Sequence, residues 1–211
     1  MNAHTHLVGG IVAGALALPL IGTAHPLALL ATAALTSPLP DLDHPGSLYG
    51  RWVPLPGVAR IHGHVEPYRG GWNGNSHLSF GQVGRWTPFG ILWHRGPFHS
   101  PLFLAAGVMA VGVLGRFGWA SGLGATLMWG TGLGIASHLA LDSFNRMGQF
   151  LVWPVLARRI RAPWSKIRVG SWGEHLMALG LVGMAVLLTV PLMTSYLPTG
   201  LASHLLGLVG R

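Results

Sequence analysis

The sequence predicts an all-α integral membrane protein, and its composition and hydropathy pattern both support this fold class. Half of the 211 residues are hydrophobic and only 9% are charged, whereas soluble globular domains carry about 25% charged residues. The mean hydropathy is +0.49, and long uncharged runs alternate with loops that contain Arg and Trp. We therefore expect one domain over residues 1–211, folded as a bundle of about four to five membrane helices.

The first uncharged run covers residues 7–40, where His25 is the only titratable side chain. One membrane helix needs about 20 residues, so this run is too long for one span and too short for two full ones. Pro19, Gly22 and Pro26 interrupt the run. They predict a helix, a break and a second, shorter helix, whose outer ends emerge on the same side of the membrane.

Three further helices are predicted over residues 101–114, 119–141 and 176 to about 197. The intervening segments 46–93 and 143–172 are rich in Arg and Trp. Long segments of this composition are typical of functional loops at the membrane surface. We expect both segments to be cytoplasmic or interfacial loops.

His138 and Asp142 lie one helical turn apart at the end of an uncharged run. A polar pair at this depth is unfavourable unless something compensates for it. A divalent metal would do so, because imidazole nitrogen and carboxylate oxygen are both good ligands. A simple His–Asp hydrogen bond at the helix end is the alternative, and the pair alone does not decide between them.

A second cluster of candidate ligands, Asp41, Asp43 and His44, lies between Pro40 and Pro45 at a predicted membrane boundary. A metal site and a solvated turn are the two interpretations of this cluster.

His94, Arg95 and His99 precede Ser100 and Pro101, which are typical of a helix N-cap and first helical residue. Arg95 near a helix N-terminus suits a phosphate group. The alternative is a helix cap beside a basic residue that merely orients the protein in the membrane.

The charges fall on one side of the predicted membrane. Only Arg116 and Arg211 of the 13 Lys and Arg residues lie on the other side, so the positive-inside rule places the shared side in the cytoplasm. All five acidic residues lie there too. The net charge of +8 therefore indicates orientation and contact with membrane lipids, and nucleic acid is not an expected partner. Cys is absent, so a metal must be held by His, Asp and Glu.

Five motifs taken together resemble the YdjM-like family of membrane-bound metal-dependent hydrolases. In chain order they are His6, Leu39–Pro45, His94–Ser100, Ser137–Asp142 and Gly170–Glu174. The resemblance implies a helical inner-membrane protein with hydrolase activity. The His-x-x-x-Asp element is also similar to that of zinc-dependent phospholipases C.

We therefore expect a hydrolase that uses metal-activated water, with one or two divalent ions, zinc being the expected metal. The predicted metal ligands are His6, Asp43, His44, His94, His99, His138 and Asp142. The preferred inner set is His44, His99, His138 and Asp142.

The predicted catalytic residues are Asp41, Glu174 and Arg95. Asp41 or Glu174 would act as the base and Arg95 would hold an anionic group of the substrate. Glu174 has an alternative role in a helix capping box with Ser171.

Trp residues near the site suggest headgroup depth, so the expected substrate is a phosphoester in a lipid or lipid-linked molecule. Two other classes of protein stay open. A metal or proton transporter should place its ligands at the bilayer midplane. If the protein were a non-catalytic membrane scaffold, the motifs of acidic residues and His would have no role.

Overall fold

The computed structural model describes residues 1–43, 47–52, 97–116, 122–146, 148, 149, 151 and 160–194. Within these ranges the chain is all-helical, as predicted. Its five α-helices are α1 (Ala3–Ile21), α2 (Pro26–Thr36), α3 (Pro101–Gly115), α4 (Leu123–Ser143) and α5 (Trp172–Thr194). Short 3-10 helices cover Leu39–Asp43 and Pro97–His99. The described ranges contain no β-strand, and only two isolated β-bridges follow α4.

The predicted break in the first apolar run is confirmed. Gly22 ends α1 in the left-handed conformation with φ of 61°, and its N–H donates to the Leu18 carbonyl. Pro26 then begins α2 at a position where its missing N–H costs nothing. The 11 residues of α2 reach only about 17 Å, so α2 falls well short of a hydrocarbon core about 30 Å thick.

The predicted cap of α3 is also confirmed, since the Ser100 hydroxyl accepts a hydrogen bond from the Phe103 N–H at 3.4 Å. Two helices begin earlier than expected. α1 starts at Ala3 and α5 at Trp172, each about a turn before its apolar run. Polar residues at the starts of the two helices contact each other, because Asn2 and Thr5 donate hydrogen bonds to Glu174. The helices therefore extend into these polar segments.

α4 packs against α1, α2 and α3, while α5 packs against α1. Glycines on α4 allow α2 to approach closely, as small residues do between membrane helices. A Cβ on Gly130 would lie 3.0 Å from the Leu29 carbonyl oxygen. A Cβ on Gly134 would collide with Thr36 Oγ1 and the Ala33 carbonyl oxygen. The α2–α4 contact therefore depends on glycine at both positions.

Two helices in the described part of the chain are long and apolar enough to cross a membrane. They are α1, with 19 residues, and the 21-residue section Trp172–Leu192 of α5. Only 6% of this α5 section is buried inside the protein, so little of it contributes to the core. α3 is apolar but shorter.

Candidate metal centre

Five candidate side chains meet at one end of the bundle. His6 comes from the first turns of α1, and α4 contributes residues one turn apart near its C-terminal end. The two 3-10 helices supply the others. The five residues are His6, Asp41, His99, His138 and Asp142. Asp41 is 8% exposed and the other four are fully buried. Segments distant in sequence thus form one polar cluster.

Four ligand atoms in this cluster have the spacing of a metal coordination shell. His99 Nε2 lies 3.1 Å from His138 Nε2 and 3.3 Å from Asp41 Oδ1. His138 Nε2 lies 3.6 Å from Asp41 Oδ1 and 3.9 Å from Asp142 Oδ2. His99 Nε2 lies 3.7 Å from Asp142 Oδ2. Ligand bonds of about 2.0–2.1 Å around tetrahedral zinc place the ligand atoms about 3.3–3.4 Å apart. Five of the six distances among these four atoms, called the four-atom centre below, are thus near or slightly above that spacing, and the cluster could hold a divalent cation.

Burial of these groups supports the same interpretation. Among the described residues, both ring nitrogens of His6 and Nδ1 of His138 have no hydrogen-bond partner. A buried polar atom without a partner is unfavourable by about 1–3 kcal/mol. Within the described residues, the ligand atoms of His6, His138 and Asp142 lie within 4.8 Å of one another, and so do those of Asp41, His99 and His138. The donor set therefore fits a metal ion.

The electrostatics favour ionised carboxylates in the cluster. Burial by itself raises the pKa of Asp41, but the hydrogen bond with His99 and the charge of His138 lower it more, and the net pKa lies well below the usual range. Asp142 Oδ1 accepts a hydrogen bond from the Met1 ammonium group at 2.8 Å, with both groups fully buried. An ionised carboxylate is the form that binds a cation.

Glu174 lies in neither set of three. Its Oε1 accepts hydrogen bonds from the Asn2 N–H and, at 3.4 Å, from the Thr5 hydroxyl. Its Oε2 accepts from Asn2 Nδ2 at 3.2 Å and from the Gly170 N–H at 2.6 Å. The hydrogen bond from the Gly170 N–H resembles the predicted capping box, but its donor lies one residue before the expected Ser171. These contacts join the start of α5 to the start of α1, and a role for Glu174 as a base stays a prediction.

The structure brings together four of the predicted metal ligands, namely His6, His99, His138 and Asp142, and adds Asp41, which was predicted as a base. The remaining candidates are not in the described part of the chain: His44, His94 and Arg95 lie outside it, as does the side chain of Asp43. Of the preferred inner set, His99, His138 and Asp142 meet in the four-atom centre.

Sequence reasoning missed Asn2, Thr5 and the Met1 ammonium group as partners of the buried carboxylates. Their contacts join residues 141 to 172 positions apart. The only local signal is the density of polar side chains before the first apolar run.

Comparison with known proteins agrees with the resemblance noted from the motifs. No curated protein and no solved structure matches the chain. The family model described as YdjM inner membrane protein matches residues 1–208. This match covers the five motifs and both helices that are long enough to cross a membrane. The chain belongs to the YdjM inner membrane protein family.

Proposed function

We propose that the chain is a multi-pass membrane hydrolase that depends on a divalent metal and acts on a phosphoester of a lipid or lipid-linked substrate. The four-atom centre is the observation that carries the proposal. Its two imidazole nitrogens and two carboxylate oxygens lie 3.1 to 3.9 Å apart in the pairs given above, and they are buried at one end of the helix bundle.

Zinc is the metal that this donor set favours, because a nitrogen and oxygen set at tetrahedral spacing suits it better than Mg²⁺ or Ca²⁺. When bound, zinc supplies Lewis acidity and brings the pKa of a coordinated water towards about 7. The chain's own contribution is to hold His99, His138 and Asp142 in place and to keep the site almost free of bulk water.

Among the residues of the four-atom centre, Asp41 has the most exposed side chain. Its side chain is 11% exposed, whereas those of His99 and Asp142 are 0% exposed. A substrate therefore approaches from the Asp41 side. The Oδ1 atom of Asp41 lies 3.3 Å from His99 Nε2 and 3.6 Å from His138 Nε2, and this position favours a ligand role over a role as base. Arg95 is proposed to hold the anionic group of the substrate.

The surroundings of the site suit a membrane surface. Trp52, Trp164 and Trp172 are 74%, 57% and 84% exposed. Each lies on a segment that adjoins the site end of α2, α4 or α5. Exposed Trp residues are enriched at headgroup depth. Substrates that reach this depth by lateral diffusion are lipids or lipid-linked molecules, and the predominance of Arg and Lys at this end favours a cytoplasmic orientation and anionic headgroups.

The location of the site also separates a hydrolase from a transporter. A transporter would place its ligands near the bilayer midplane, whereas His138 and Asp142 lie in the last turns of α4. For this reason the hydrolase is preferred.

The proposal can be tested with purified protein in mixed micelles that contain an anionic phospholipid. We expect zinc-dependent release of a headgroup or phosphate by the wild type and by His4→Ala, whose side chain is exposed on the same helix as His6. His138→Ala should have no activity. Hydrolysis of a soluble ester or peptide without any action on lipid phosphoesters would contradict the proposed substrate class.

A further inference from the structure

The two carboxylate oxygens of Asp142 face different partners. Oδ2 faces the four-atom centre, at 3.7 Å from His99 Nε2 and 3.9 Å from His138 Nε2. Oδ1 has other neighbours, since it lies 3.6 Å from His6 Nε2 and 2.8 Å from the Met1 ammonium nitrogen. A carboxylate divided in this way can bind one cation with each oxygen, as in two-metal sites whose ions lie about 3.5–4 Å apart.

His6 is a candidate ligand that the four-atom centre does not need. The four-atom centre already offers one ion up to four side-chain ligand atoms without it, whereas a catalytic zinc uses three and leaves the fourth position to water. Yet His6 is fully buried, and neither ring nitrogen has a hydrogen-bond partner among the described residues. Its ring stacks on that of His138, with centroids 3.7 Å apart and an interplanar angle of 17°. Stacking of the rings gives the nitrogen atoms no hydrogen-bond partner, so His6 Nε2 can bind a cation.

We propose that the protein holds a second divalent cation between His6 Nε2 and Asp142 Oδ1, and that Asp142 bridges the two ions. This inference rests on the proposed function, because it assumes that the four-atom centre holds the first ion. The second position has two side-chain ligands among the described residues, whereas the four-atom centre has four. The second ion therefore keeps open coordination positions, and it is the ion that binds a phosphoester oxygen of the substrate.

The Met1 ammonium group places a positive charge 2.8 Å from Asp142 Oδ1. This contact also defines the competing explanation. If the ammonium group is the permanent counter-charge of Oδ1, no second ion binds and His6 has another role.

The number of bound ions distinguishes the two explanations. The full chain, purified in micelles, is stripped with a chelator and reloaded with Zn²⁺ alone, and zinc per chain is measured by mass spectrometry. We expect two ions in the wild type, one in His6→Ala and two in His4→Ala. His4 lies on the same helix and is exposed, so it controls for loss of a histidine on α1.

A second measurement needs no variant and therefore does not depend on how well His6→Ala folds. The wild type is reloaded with Mn²⁺ and examined by electron paramagnetic resonance. Two ions that share a carboxylate are expected to give an exchange-coupled spectrum.

The possible results separate this inference from the proposed function. One zinc ion per wild-type chain, with the Mn²⁺ spectrum of isolated ions, overturns the second position and leaves the single-metal hydrolase standing. Two ions in both the wild type and His6→Ala also overturn it, because His6 is then not a ligand. The absence of any bound ion from the wild type overturns both proposals.

Discussion

At the scale of the single residue, Glu174 and Asp142 are both buried carboxylates, but their partners differ in kind. Glu174 accepts hydrogen bonds from neutral donors on α1 and at the start of α5. Asp142 faces an ammonium group and three imidazole rings. The oxygens of Glu174 already accept hydrogen bonds from N–H and O–H groups, which favours a positioning role for this residue. Asp142 is surrounded by other groups that can bind a metal, which favours cation binding.

Replacement of Glu174 tests the positioning role. Glu174→Ala should lower the free energy of unfolding by about 2–4 kcal/mol, because it leaves several donors between α1 and α5 without an acceptor. Thermal unfolding in micelles measures the change, with His4→Ala as the control. A variant Glu174→Gln that keeps wild-type stability and bound zinc but loses all hydrolysis would instead support the predicted role as a base.

Replacement of the α4 pair tests the metal site. Asp142→Asn keeps the shape of the side chain but removes its charge, and His138→Ala removes a ligand nitrogen one turn away. Each should weaken zinc binding by more than about 100-fold, since changes even to groups behind the ligands weaken it 10- to 100-fold. Both variants should still insert into membranes, because insertion depends on the apolar helices. Wild-type zinc content in both would mean that a plain His–Asp hydrogen bond explains the pair.

At the scale of the helix, the position of the α4 ligands depends on how closely α2 approaches α4. A Cβ at Gly134 would meet Thr36 Oγ1, the Ala33 carbonyl oxygen and the Ser37 nitrogen. Most of these atoms belong to the backbone, so they cannot move aside without a shift of α2. Asp41 follows α2 by a few residues, and such a shift would move it relative to His138.

Gly134→Ala should therefore destabilise the protein by about 1–3 kcal/mol and weaken zinc binding as well. The matched control is Gly180→Ala in α5, where an added Cβ meets nothing within 4 Å. The control should keep its zinc and be slightly stabilised, because alanine is the better helix former. Equal behaviour of the two variants in thermal unfolding and zinc titration would show that close α2–α4 contact does not position the site.

The sequence predicted those parts of the site that follow from local spacing. His138 and Asp142 are four residues apart, so any helix brings them together. Ser100 and Pro101 mark a helix start by local rules alone. The contact of Met1 with Asp142 and that of Asn2 with Glu174 follow from no local rule, because each depends on the packing of helices far apart in the chain. The early starts of α1 and α5 were missed for the same reason.

At the scale of the whole molecule, the two helices long enough to cross a membrane both begin at the site end of the bundle. α1 starts two residues after Met1, and α5 starts two residues before Glu174. α4 ends there, with Asp142 in its last turn. The polar cluster, the exposed Trp residues and the starts of both long apolar helices thus lie at one end, as the proposed site at a membrane surface requires.

This arrangement predicts the topology of the chain. Reporters fused at the N-terminus and inserted near residues 70 and 160 should all score cytoplasmic. The reason is that eleven of the 13 Lys and Arg residues, all except Arg116 and Arg211, lie in segments predicted from the sequence to share one side of the membrane. A reporter inserted after Arg116, between α3 and α4, should score on the opposite side and serves as the internal control. An insertion near residue 70 that scores periplasmic would place the 46–93 segment across the membrane from His6 and Asp142. In that case this segment would not share a membrane side with the site, and the positive-inside argument for a cytoplasmic site would fail.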